Sequence, residues 1–148
     1  MKAVIQRVSL AQVVVDGKEV GSISQGLLIL LGVLKGDNET DCHILGEKIP
    51  RLRIFEDEQG KMNRSLMDIA GQILVVSQFT LGADLKKGLR PSFEPAADPQ
   101  TAEELYQKFL TELKQTGLII QTGVFGAKMQ VSLINDGPVT FILDTRAA

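Results

Sequence analysis

An α+β fold is predicted. The reading is one domain over residues 1–148, built on a single curved, largely antiparallel, barrel-like β-sheet that carries two helices. Three observations predict it. Strand-like runs recur from end to end: Met1–Val15, Glu19–Ser24, Gly26–Leu34, Leu52–Phe55, Gln72–Thr80, Leu118–Phe125 and the arms Met129–Leu133 and Val139–Leu143. Only two segments carry a helical stripe with start and stop signals. No repeat, low-complexity stretch or linker divides the chain, and its 148 residues suit one sizeable core.

In Met1–Val15, Val4, Val8 and Leu10 share one face of a period-2 pattern with Gln6. Asp16-Gly17 is a hairpin signal, and Glu19–Ser24 is the returning strand. Gly26–Leu34 is uniformly apolar, as expected of a buried central strand. Asp37 or Asn38 caps a first helix with Cys42, Leu45 and Ile49 on its apolar stripe, and Pro50 ends it. Leu52–Phe55 is a short strand, followed by turns at Glu58–Lys61 and Ala70-Gly71, then the strand Gln72–Thr80. Leu81–Pro99 contains Pro91, Pro95 and Pro99 with no clear period, and is expected to be a long functional loop. Asp98-Pro99 opens a second helix, striped by Leu105, Phe109 and Leu113 and closed by Gly117. The arms Met129–Leu133 and Val139–Leu143 are expected to form a hairpin about Ile134–Pro138.

Composition narrows the function. Hydrophobic residues make up 44% and charged residues 23%, with a net charge of −2. A general nucleic-acid coating protein needs a broad basic face, so that class is disfavoured, while one specific nucleic-acid end needs only a local patch. One cysteine rules out an intrachain disulfide and fits a reducing cytoplasm. One cysteine and one histidine cannot build a structural zinc site. Met1–Val4 does not read as a signal peptide, and the apolar run Gly26–Leu34 is far short of the roughly 20 residues that span a bilayer. A cytoplasmic protein with no membrane or DNA partner, no cofactor and no metal is expected.

Cys42 and His43 are neighbours on a helix and do not face each other, so they are read as a packed thiol and a surface imidazole. Ser77, Gln78, Phe79 and Thr80 end an apolar run. As a plain strand end, Ser77 and Phe79 would share one face and Gln78 and Thr80 the other. As a site, free backbone N–H groups there would serve an oxyanion. Thr80 would need a neighbouring base to act as a nucleophile, and the segment offers none. Asn135–Thr140 joins a glycine, which admits close backbone approach, to a proline, which tolerates a cis bond. Phe125, between Gly123 and Gly126, is either a hydrophobic turn or a stacking surface for a base. Lys86, Lys87 and Arg90 are either a solvated loop or a phosphate-contacting patch. Arg7 is an isolated cation whose planar donors suit carbonyl oxygens.

Seven segments in register resemble the bacterial-type D-aminoacyl-tRNA deacylase family. They are Met1–Ser9 (MKAVIQRVS), Leu52–Asp57 (LRIFED), Lys61–Ser65 (KMNRS), Ser77–Leu81 (SQFTL), Arg90–Phe93 (RPSF), Gly123–Ala127 (GVFGA) and Asn135–Thr140 (NDGPVT). The resemblance implies that family's fold and a homodimer with active sites at the interface. It implies hydrolysis of the ester joining a D-amino acid to the 3′-terminal adenosine of tRNA, with L-aminoacyl esters rejected. Gly137 and Pro138 then resemble a Gly–cis-Pro element that enters the partner's pocket. Ser77, Gln78, Phe79 and Thr80 resemble the pocket wall, and Phe125 an aromatic near the terminal adenine. Arg7 resembles a residue that holds the cis-Pro loop. The alternative is a catalytically silent module that binds the tRNA 3′ end.

Overall fold

The computed structural model describes residues 1–147. In chain order the elements are β1 (Lys2–Val15), β2 (Lys18–Ile23), β3 (Gly26–Gly32), α1 (Glu39–Lys48), β4 (Phe55–Glu56), β5 (Met62–Arg64), α2 (Leu66–Ile69), β6 (Gln72–Ser77), α3 (Pro99–Lys114), β7 (Ile120–Thr122) and β8 (Gln130–Asp144). The strands β2-β1-β3-β6-β7 follow one another in a mixed sheet, and β8 pairs with the remaining edge of β1. The three pairings of β1 are antiparallel, whereas β3–β6 and β6–β7 are parallel. Parallel neighbours need long crossovers, and the chain supplies them through α1 and α3. The sheet rolls until β2 lies against β7. A Cβ on Gly21 would stand 2.5 Å from the carbonyl oxygen of Thr122, so a barrel-like closure depends on glycine there.

The α+β domain and its curved sheet are as expected, and most element signals hold. Asp16 and Gly17 take φ of 49° and 75°, as a two-residue hairpin turn with both central residues left-handed requires. Asn38 caps α1 in a reciprocal capping box with Asp41. Asp98 caps α3 ahead of Pro99. Cys42, Leu45 and Ile49 from the first helix meet Leu105, Phe109 and Leu113 from α3 in the larger core, over Ile5, Leu27, Ile29 and Ile73 of the sheet. A smaller cluster of Val8, Val13, Leu28, Leu74 and Val76 fills the opposite face.

Several expectations are corrected. The strand expected at Leu52–Phe55 forms only at Phe55–Glu56; α1 is followed by a 3₁₀ turn over Ile49–Arg51, and Leu52–Ile54 lead from it outside any strand. Ser65 caps a one-turn helix, α2, so there are three α-helices and not two. The apolar face read for β1 is out of phase. Ala3, Ile5 and Arg7 are buried, then Val8, Ala11 and Val13, while Leu10 is exposed. Register shifts between Gln6 and Val8 and between Val8 and Leu10 switch the alternation, and a period-2 reading assumes no such bulges. The C-terminal hairpin is absent. β8 is one continuous strand, and both arms pair antiparallel with β1. Among the described residues, no helix is long and apolar enough to cross a membrane.

Candidate active site

β6 runs inside the mixed sheet between β3 and β7 and ends at Ser77. The Gln78 N–H still donates to the Leu31 carbonyl at 2.8 Å, but the chain then turns into a 3₁₀ helix over Phe79–Gly82. The strand therefore stops before the predicted Thr80, and the two-face alternation over Ser77–Thr80 does not occur. The turn has a chemical consequence. The first N–H groups of a helical turn have no acceptor within it, and those of Phe79 and Thr80 make no hydrogen bond among the described residues. The Gln78 side-chain amide donates to Thr80 Oγ1 and orients the hydroxyl. Thr80 itself is exposed.

Beside this turn lies a cavity of about 500 Å³. Ser77, Gln78 and Phe79 form one wall, and Phe125 lines it from the loop after β7. Phe79 meets Phe93 edge-on with ring centroids 5.0 Å apart, and Phe125 leans on Tyr106 at 5.7 Å. Tyr106 donates to the Val75 carbonyl at 3.3 Å, and burial pushes its phenol up to about 12, so it remains neutral. The cavity thus joins an aromatic surface to a polar strand end. Sequence reading missed Tyr106, whose signal was a lone polar-tipped aromatic beside Leu105 on the α3 stripe. Phe93 stands in the Arg90–Phe93 motif, and its place in the cavity wall depends on the return of the loop.

A second construction sits where β8 crosses β1. Gln6 pairs with Thr140 and Val8 with Asn135. Arg7 alone therefore faces Asp136, Gly137, Pro138 and Val139, which form a wide bulge. The Gly137–Pro138 peptide is cis. Gly137 takes φ of 154°, and a Cβ there would lie 2.5 Å from both the Val139 nitrogen and Val139 Cγ2. Arg7, only 5% exposed, ties the bulge down. Its Nε donates to the Asp136 carbonyl at 2.9 Å and its Nη1 to the Ile54 carbonyl at 2.8 Å. The Glu56 and Asp136 carboxylates stand 3.7 Å from the guanidinium. From the other side Asn135 staples the bulge, accepting from the Val139 N–H at 2.8 Å and donating to Thr140 Oγ1 at 2.9 Å. Asn135 was visible in its motif, but its bracing contacts depend on the bulge.

Ser77, Gln78, Phe79 and Phe125 thus share one cavity with Thr80 next in the chain. Gly137, Pro138 and Arg7 do not line it. Arg7 and Asp136 border a separate hollow with Glu56 and Arg64. One chain does not bring the two groups together.

Cys42 and His43 stand outside the cavity. Cys42 is 1% exposed, its thiol donates to the Leu105 carbonyl at 3.3 Å, and burial pushes it up to about 11. His43 is exposed and lies 3.4 Å from a Glu112 oxygen. Among the described residues, no group of three histidine, cysteine, aspartate or glutamate side chains could hold a metal.

The fold is shared with a solved structure described as a probable eukaryotic D-amino acid tRNA deacylase, at a TM-score of 0.83 and 17% identity over 96% of this chain and 97% of that one. A second, titled c-Myc DNA Unwinding Element Binding Protein, superposes at a TM-score of 0.93 with 44% identity over 99% of this chain and 100% of that one. The family model for D-Tyr-tRNA(Tyr) deacylase matches residues 4–144, and the chain belongs to that family. The D-aminoacyl-tRNA deacylase of Geotalea daltonii is 61% identical over 98% of this chain and 97% of its own length. That of Aquifex aeolicus is 59% identical over 99% of each.

Proposed function

We propose that the protein hydrolyses the ester of D-aminoacyl-tRNA, releasing free D-amino acid and tRNA. The observation that carries this reading is near-full-length identity of 59–61% to proteins named for that activity. The site is consistent with it. The cavity's aromatic surface suits the terminal adenine, with Phe125 stacking against it. The Ser77–Thr80 wall then lies at the reacting ester.

Two copies are needed to complete the site. In a homodimer, the Arg7-held Gly137–Pro138 bulge of one subunit enters the cavity of the other. Its carbonyl oxygens accept from the substrate ammonium and stand where an L side chain would project. Rejection is then steric and depends on backbone common to all substrates, which suits selectivity for chirality without selectivity for the side chain. Glycine has no side chain to exclude, so glycyl-tRNA is a substrate on this reading. Absence of glycyl-tRNA turnover at high enzyme would remove that extension.

Aminoacyl esters are already activated, so placing water and stabilising an oxyanion suffice. Water adds to the ester carbonyl carbon while the Phe79 and Thr80 N–H groups hold the developing oxyanion. The terminal ribose 2′-OH helps position the water. Collapse breaks the bond to the ribose oxygen, which takes up a proton. The rival route, Thr80 as covalent nucleophile, lacks a base beside the hydroxyl, whose identified partner is the Gln78 amide.

The test is deacylation of matched D- and L-tyrosyl-tRNA by the purified protein. Rapid loss of the D ester with the L ester spared is expected. Binding of tRNA without hydrolysis of either ester would instead assign a 3′-end binding module.

A further inference from the structure

The loop between Gly82 and α3 departs from one wall of the cavity and returns to the other. Phe79 precedes it and Phe93, Ala96 and Ala97 end it, and all four line the cavity. Its neck is fixed. Asp84 and Ser92 exchange two backbone hydrogen bonds, of 2.7 and 3.0 Å, and Asp84 Oδ1 accepts from the Lys86 N–H at 2.9 Å. Beyond this neck residues 85–91 project into solvent. Lys86, Lys87 and Arg90 are all exposed and form no ion pair among the described residues. Asp84 and Glu94 flank the neck, but the projecting segment itself contains no carboxylate. A fourth cation, Lys128, is exposed between the cavity-lining residues Ala127 and Met129. Cations thus stand on two segments whose neighbouring residues line one cavity, in a chain whose net charge is −2.

We infer that the 84–92 loop is a docking arm for the phosphodiester backbone of the RNA whose 3′ end occupies the cavity. This rests on the deacylase reading for the occupant of the cavity and extends it to the body of the substrate. Three residues from a fixed neck reach about 10 Å, so the cations lie within range of the phosphates that precede the terminal nucleotide. Phosphate contacts set register without reading sequence, which suits an enzyme that must accept many tRNAs. Lysines on a short projecting arm deliver point charges without demanding one phosphate geometry. Local placement of these charges provides a basic patch within a chain whose net charge is −2.

The experiment compares the wild-type protein with Lys86→Glu/Lys87→Glu and Lys86→Arg/Lys87→Arg on two substrates, full D-tyrosyl-tRNA and D-tyrosyl-adenosine, across a salt series. The charge-reversed variant is expected to lose at least about tenfold in kcat/KM on the tRNA. It should stay within about twofold of wild type on the adenosine ester, which carries no phosphate. The slope of log kcat/KM against log salt on tRNA should flatten by roughly 1.4–1.8, at about 0.7–0.9 for each of the two lost contacts, and the arginine variant should restore it. Equal loss on both substrates, no loss on either, or loss on tRNA with an unchanged slope would overturn the proposal. So would a change in dimerisation by sedimentation in place of a change in the tRNA slope, which would assign the arm to a second copy. If wild type hydrolyses neither ester but binds uncharged tRNA with the same cation-dependent slope, the deacylase reading falls and the docking arm stands.

Discussion

The bulge at Asp136–Val139 and the turn at Phe79–Gly82 are both irregular backbone at the border of a sheet, and they are built in opposite ways. The bulge is braced on every side. Arg7 holds its Asp136 carbonyl, Asn135 binds its Val139 N–H, and Gln6 and Asn135 both donate to Thr140 Oγ1. The turn leaves donors open at its start, with an exposed hydroxyl and Phe79 56% exposed. A braced element suits an obstacle that must not yield. An element with unsatisfied donors suits a receptor for a changing charge. On the proposed reading, selection and chemistry fall to separate pieces of backbone.

Substitutions sharpen that contrast, and the largest effect is expected in the bulge. Gly137→Ala places a methyl group against Val139 and forces the bulge to move. Displacements of about 1 Å at a site can cost 10²-fold, so kcat/KM on D-tyrosyl-tRNA should fall by about that factor or more, with L-tyrosyl-tRNA tested beside it. Unchanged activity would show that the bulge's position does not matter. Arg7→Ala comes next. It strips charged donors from two carbonyls in a buried position, which costs about 2–4 kcal/mol and should lower Tm by roughly 5–15 °C. Calorimetry reads the stability loss, and a lysine replacement should recover only part because it lacks the planar fork.

Thr80→Ala tests the receptor. If backbone N–H groups carry the oxyanion, activity stays within about tenfold, whereas a covalent nucleophile would lose more than about 10³-fold. The smallest effect is a drift of stability at high pH. Burial raises the Cys42 thiol from 9.0 to about 11 and the Tyr106 phenol from 10.0 to about 12. Both folded-state values lie above the unfolded ones, so the unfolded chain releases these protons first. Their contribution is complete below about pH 9 and is lost progressively as pH rises towards 11–12. Chemical denaturation at pH 8 and pH 10.5, with Cys42→Ala as the comparison, measures it. A midpoint that does not move between the two pH values would contradict the burial of both groups.

How much was legible follows from how local each signal is. The cap at Asp98, the Asp16-Gly17 turn and the apolar stripe of α3 are contained in a few neighbouring residues and were read correctly, and of the two caps left open for α1, Asp37 or Asn38, the helix uses Asn38. Ser65 was a cap of the same kind, but a one-turn helix offers too few residues for a period. The site motifs at Ser77–Thr80 and Asn135–Thr140 were visible as residue types. Their conformations were not, since the end of β6 at Ser77 depends on where β3 stops pairing with it.

The sequence by itself determined the class of fold, the position of the two long helices and the residues around which a site would form. Propensity, capping and periodicity act over one or two turns of chain, and they need no distant partner. Tertiary structure alone decided that the C-terminal arms form one bulged strand and not a hairpin. Both arms find their partners on β1, from Val14 opposite Gln130 to Lys2 opposite Asp144, most of the chain away, and Arg7 fills the gap between them. It also decided that the cavity and the bulge of one chain stay apart, because each is fixed to a different part of a sheet whose curvature no local pattern encodes.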